Sequence, residues 1–137
     1  SSLLQLPLAY ATLRPKQKVG VITADARYLN ERHFEAVGAS DVPVVVRGGE
    51  EDPYIRKVLL EGGQQMDPAR MQEGMVRIAR SMVEAHPEIG AFVIECSQMP
   101  AYSRAVWEAT RLPVYDLLTL IRWMQDTLRP RGYPQPG

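Results

Sequence analysis

Cys96 is the one cysteine in a chain of 137 residues. The apolar run Ala91-Phe92-Val93-Ile94 leads through Glu95 into Cys96-Ser97-Gln98-Met99, and Pro100 then reads as a helix start. A thiol between a buried strand and a helix N-terminus faces backbone N–H groups that have no intrahelical partner. The helix dipole there favours negative charge. Such a position lowers a thiol pKa and can also hold a substrate carboxylate. The competing reading is a buried thiol that packs as a small hydrophobe. The strand–Cys-Ser–Pro–helix context favours chemistry.

The chemistry open to Cys96 is nucleophilic attack or proton transfer at carbon. A thiol titrates near neutrality and is easily tuned, which suits acid/base work. A Cys–His hydrolase would need His33 or His86, the two histidines present. His33 falls in the first turn of a helix, and His86 sits at a helix end before Pro87. One cysteine and two separated histidines also argue against a zinc site. Ser97 and Gln98 could present polar groups to a carboxylate, or could simply cap the helix. Thr23 and Asp25, at the end of an earlier strand, could do the same from the opposite side. Asp25 reads equally well as a turn acid. Glu95 reads as a polar support rather than a catalytic acid. Tyr102 could line the pocket or pack. Gly48-Gly49 and Gly62-Gly63 read as loop hinges, and neither forms a phosphate-binding fingerprint.

Four apolar runs, Val19–Thr23, Val42–Val46, Ala91–Glu95 and Pro113–Asp116, predict strands buried on both faces of a parallel sheet. Helices are expected between them. Ser2–Leu13 is one. Asn30 caps a second, which carries Phe34 and Val37 and stops at Gly38. Asp52-Pro53 opens a third, with Tyr54, Ile55, Val58 and Leu59 on its apolar face. Asp67-Pro68 opens a fourth, with an acid at the N-cap and proline at the first position. Its inner stripe is Met71, Met75, Ile78, Ala79, Met82 and Val83. Pro100–Thr110 is the fifth. In the last, Leu117–Leu128, the residues Leu117, Leu120, Ile121, Met124 and Leu128 are expected to face inward. Strands alternating with helices build right-handed βαβ units. The prediction is an α/β, flavodoxin-like, four-stranded parallel sheet of order 2-1-3-4 with helices on both faces. Its switch point lies between the first and third strands, where ligands bind beyond the carboxyl ends. Topology alone thus brings Cys96 and the Thr23–Asp25 loop to one crevice.

Composition sets bounds. Hydrophobic residues make up 45% and charged residues 23%, ordinary for a globular protein. Lys plus Arg and Asp plus Glu number 16 each, so no charge excess points to nucleic acid or an anionic membrane. No apolar stretch approaches the roughly 20 residues of a membrane span. One cysteine excludes an internal disulfide framework and, with six methionines, suits a reducing cytoplasm. Residues 1–128 are expected to form one lobe, and 129–137 a flexible tail.

The segments Val19-Gly20-Val21-Ile22-Thr23-Ala24-Asp25, Phe92-Val93-Ile94-Glu95-Cys96-Ser97-Gln98-Met99-Pro100-Ala101-Tyr102 and Leu112-Pro113-Val114-Tyr115-Asp116-Leu117-Leu118-Thr119-Leu120 carry a resemblance. Together they resemble the aspartate/glutamate racemase superfamily, in particular its hydantoin racemase-like branch. The likeness runs from Ser1 to about Arg129. It implies two similar α/β lobes with the active site between them. Each lobe contributes one cysteine, and the pair exchanges a proton on opposite faces of a carbon next to a carboxylate. No metal or organic cofactor is implied. Cys96 matches the second cysteine. Ser97 stands where threonine is usual, and Gln98 where many relatives carry histidine, asparagine or aspartate. The first cysteine would lie upstream of Ser1, and residues 1–13 would be the helix entering from that first lobe. The resemblance therefore implies a racemase or epimerase lobe acting on a small carboxylate. A related branch, the arylmalonate-type decarboxylases, uses only the cysteine equivalent to Cys96. A decarboxylase or cis-trans isomerase, and a non-catalytic carboxylate-binding module, are the alternatives. A missing amino-terminal lobe or a homo-oligomer would cover the apolar surface expected around Leu3, Leu4, Leu8 and the last helix.

Overall fold

Strands form where the sequence is apolar without alternation. They are β1 (Lys18–Thr23), β2 (Val44–Gly48), β3 (Ile89–Ile94) and β4 (Val114–Tyr115). All pairings are parallel, and the sheet order is β2-β1-β3-β4, as the sequence predicts. Every residue of β3 is buried, as befits a central strand covered on both faces. The structure, a computed structural model, describes residues 1–62 and 65–134. Gly63 of the expected second hinge, and Gln135, Pro136 and Gly137 of the expected tail, lie outside the described residues.

The helices are α1 (Leu6–Ala11), α2 (Glu31–Glu35), α3 (Pro53–Arg56), α4 (Pro68–Ala85), α5 (Ser103–Thr110) and α6 (Leu117–Leu128). A 3-10 turn, Ser2–Gln5, leads into α1, and another, Pro100–Tyr102, leads into α5. A wider π-type turn, Lys57–Glu61, continues α3. The caps follow the predicted chemistry. Asp67 Oδ1 accepts from the Ala69 N–H at 2.9 Å, and Asn30 Oδ1 from the Arg32 N–H at 3.1 Å.

Strand pleating sends alternate side chains to opposite faces and divides the core. On one face Ile22, Phe92 and Ile94 meet the Met71, Met75, Ile78 and Met82 stripe of α4, Ile55 of α3 and Val106 of α5. On the other, Val19, Val21 and Val93 meet Leu3, Leu6 and Ala9 of the first helical segment and Phe34 of α2. Gly20 makes room on the first face. A Cβ there would stand 2.7 Å from the Phe92 ring.

Three expectations need correction. The second strand begins two residues later than Val42, because the Val42 N–H closes a turn onto Ala39 O and Pro43 has no N–H to give. Leu3 is buried rather than exposed, while Leu4 and Leu8 remain at the surface. The last helix does not turn its apolar residues inward. No residue of α6 is buried, and Trp123 is 53% and Leu128 82% exposed. The helix leaves the edge strand β4, which is two residues long and offers it little sheet to cover. What fixes α6 is its cap. Asp116 Oδ1 accepts from the Thr119 N–H at 2.8 Å, and Asp116 Oδ2 from the Ser103 hydroxyl at 2.6 Å.

Candidate active site

The chain leaves β1 towards β2 on one side and reaches β3 on the other, so a crevice opens where their carboxyl ends part. It has a volume of about 410 Å³ and is lined by Ser1, Ser2, Ala24, Glu95, Cys96, Ser97 and Leu117. Two contacts hold its walls together. The Ser2 hydroxyl donates to the Ile94 carbonyl at 2.6 Å, pinning the amino-terminal segment over the end of β3. The Thr23 hydroxyl donates to Glu95 Oε2 at 2.9 Å, bridging the two strand ends.

Cys96 is half-buried, two residues beyond β3. Its carbonyl accepts from the Met99 N–H at 3.2 Å in the turn that follows. The thiol pKa is raised, against the sequence expectation. Burial is the main cause, because a thiolate loses hydration there. The Glu95 carboxylate adds to the rise, and backbone N–H bonding from Gln98 and Met99 opposes it. Geometry explains the reversal. The turn at Ser97-Gln98 separates Cys96 from the following helix, which opens with a 3-10 turn. Burial outweighs the backbone N–H groups that do reach the sulfur.

Ser97 and Gln98 are exposed in that turn. Neither serves as a cap, since the segments that follow have Met99 and Tyr102 at their N-caps with no side-chain bond. Ser97 lines the crevice. Thr23 is buried behind it and reaches it through Glu95. Asp25 is engaged elsewhere. It caps the turn Ala26–Tyr28 and grips Arg27 at 2.6 and 2.8 Å. Hydrogen bonding from the Arg27 guanidinium holds its carboxyl below the ordinary range. Tyr102 is a core residue, with its hydroxyl 3.8 Å from the Met66 sulfur. Burial pushes its pKa up. Neither residue is among those lining the crevice.

The histidines are structural in place. His33 Nδ1 accepts from the Asn30 N–H at 3.2 Å in a capping box, and His86 ends α4 beside Glu88 at 3.5 Å. Among the described residues, no group of three or more His, Cys, Asp or Glu side chains could hold a metal ion. No helix among them is long and apolar enough to cross a membrane. Sequence reasoning gave Glu95 only a supporting part. The structure makes it a wall of the crevice, and the legible signal was a charged residue wedged between an apolar strand and the thiol.

Comparison of folds places this arrangement. The structure superimposes on the crystal structure of allantoin racemase from Pseudomonas fluorescens with a TM-score of 0.63, covering 98% of this chain and 60% of that one at 18% identity. The chain has a racemase-like α/β fold. By sequence it is 30% identical over 123 residues to a dimethylsulfoniopropionate lyase of Durusdinium sp. clade D, covering 86% of this chain and 40% of that protein. It is 31% identical over 137 residues to dimethylsulfoniopropionate lyase 3 of Emiliania huxleyi, covering 93% of this chain and 35% of that protein. The chain thus spans well under half the length of these curated relatives. No family model matches the sequence.

Proposed function

We propose that this chain supplies one proton-carrying thiol, Cys96, of an enzyme that moves a proton at the carbon next to a carboxylate without a cofactor. The observation that carries the reading is the position of Cys96, in an open crevice at the switch point of the sheet. The racemase-like fold supports it. The raised thiol pKa suits a group that rests protonated and passes its proton to a carbanion-like carbon. Ser97, with the exposed turn that carries it, is placed to receive the substrate carboxylate. Oriented donors at an enolate-like charge can supply a large part of the rate.

Racemisation returns a proton to the opposite face of the carbon and needs a second carrier, which the first lobe implied by the resemblance would provide. Elimination is the second reading, favoured by the likeness of this chain to lyases 30% and 31% identical to it. There the α C–H bond breaks and its proton passes to the Cys96 sulfur, which must first have given up its own. The electron pair of that C–H bond becomes the C=C bond, and a sulfonio group on the neighbouring carbon departs as a neutral sulfide.

Deuterium exchange tests the common step. The intact protein, incubated in D2O with a candidate carboxylate, is expected to exchange or consume the α-hydrogen, followed by proton NMR. Cys96→Ala should abolish it. Stereochemical scrambling without change of mass identifies a racemase. Sulfide release identifies a lyase, and carbon dioxide a decarboxylase. Full activity in the Cys96→Ala variant would remove the thiol from the mechanism.

A further inference from the structure

We propose that Glu95 determines the specificity of this crevice, selecting substrates that carry a positive charge beside the reacting carbon. The inference rests on the proton-transfer reading above. Glu95 is the one charged side chain among the residues that line the crevice. Its bonding is incomplete. Oε2 accepts from Thr23 at 2.9 Å, while Oε1 has only the long 3.5 Å approach of the Ser1 hydroxyl. Two other carboxylates near strand ends and caps are paired with a cation, Asp25 with Arg27 at 2.6 Å and Asp52 with Arg77 at 2.7 Å, while the caps Asp67 and Asp116 accept from neutral N–H or O–H donors. Glu95 takes part in none of the ion pairs among the described residues. An anionic wall next to the reacting sulfur repels a second carboxylate and gains nothing from a neutral ring. It attracts a cation. The substrate carboxylate must then lie towards Ser97, with a positive group towards Glu95. An onium centre, sulfonium or quaternary ammonium, fits best. It brings charge without N–H donors, and Glu95 is the one anionic side chain in the lining to meet it.

The charge acts mainly on binding. If the onium group leaves as a neutral sulfide, its attraction to Glu95 fades in the transition state. Loss of Glu95 should therefore raise KM and leave kcat at or above its original value.

The test uses two carboxylates of nearly one shape, dimethylsulfoniopropionate and its carbon analogue 4-methylpentanoate, which lacks the positive charge. Each is titrated as a protector of Cys96 against iodoacetamide in the intact protein. The sulfonium compound should protect at concentrations about tenfold lower, as expected for one partly solvated charge pair. Glu95→Gln keeps an oxygen for the Thr23 hydroxyl and should bring the two ligands to parity, with the analogue unchanged within about twofold. Glu95→Asp should keep part of the preference. Should Glu95→Gln not fold, added salt on the unaltered protein reads the same charge, because the preference must shrink as ionic strength rises. A preference that survives Glu95→Gln or high salt overturns the proposal. So does equal protection by the two ligands, or protection by neither at millimolar concentration. The proton-transfer reading fails separately, if Cys96→Ala keeps exchanging the α-hydrogen.

Discussion

The Thr23 hydroxyl donates to Glu95 Oε2 across 2.9 Å, joining the carboxyl ends of the two central strands. One hydrogen bond thus sets both the width of the crevice floor and the position of the charge beside Cys96. Thr23→Val removes the donor while nearly keeping the shape. It should lower stability by about 1 kcal/mol, the ordinary net value of such a bond. Urea denaturation checks this, and an unchanged midpoint would mean that water replaces the hydroxyl without loss.

Thiol titration follows from burial. Cys96 is held above its ordinary pKa, by desolvation first and the Glu95 charge second. The folded state therefore keeps its proton at pH values where the unfolded chain has begun to lose it. Between the ordinary and the raised value the unfolded state binds fewer protons, so stability falls as pH rises through that window. Below the ordinary thiol range the group contributes no pH dependence. The rate of alkylation by iodoacetamide should likewise reach its midpoint above that of a free thiol, and Glu95→Gln should move it down. A midpoint below the free-thiol value would contradict both.

Asp116 concentrates five contacts in a buried carboxylate and its carbonyl, three of which tie separate elements or cap α6. The Thr119 N–H, the Ser103 hydroxyl and the Gln5 side-chain amide all donate to it, the last to its carbonyl at 2.8 Å. Asp116→Ala removes the cap of α6 and strands the Ser103 hydroxyl. The expected cost is about 2 kcal/mol, read as a lowered thermal midpoint with α6 fraying first in hydrogen exchange.

Gly20→Ala should be costly although both residues are small. The added carbon would lie 2.7 Å from Phe92 Cε1 and 3.3 Å from Ile89 Cγ2. Phe92 is fully buried, so its ring can yield only by moving its core neighbours. Overpacking of this kind costs about 1–3 kcal/mol. By contrast Trp123→Ser, on the exposed side of α6, should change the denaturation midpoint of the isolated chain by less than about 0.5 kcal/mol. A large loss there would mean that α6 is packed against something.

The strand order could be read from the sequence because four unalternating apolar runs separated by helical segments allow few parallel arrangements. The caps at Asn30, Asp52 and Asp67 were legible because their chemistry is local. Two kinds of error share one cause. The inward face given to α6 assumed that an apolar stripe always meets a core, yet β4 is too short to supply one. The lowered pKa of Cys96 counted the backbone N–H groups beyond it but not the burial that outweighs them. Periodicity reports which side of an element is apolar, not what lies opposite. The pairing of Asp25 with Arg27, two residues on, is an interaction that spacing permits but does not require. Glu95 needed the fold. Its partner Thr23 is 72 residues away, and only the adjacency of β1 and β3 brings the two together.

That separation also governs the order in which the molecule is made. The bond between Ser2 and Ile94 closes 92 residues of chain, and the Thr23–Glu95 bond lies inside it. Such loops lose entropy before any contact repays it, so pairings of this range form late in folding and slow it. A ribosome must release β3 before the first strand has its inner neighbour. Until then the emerging chain holds β1 and β2 with one flank of the sheet open. The crevice therefore cannot exist until Leu117 is made, and a nascent chain halted short of Cys96 should bind none of the molecule's ligands.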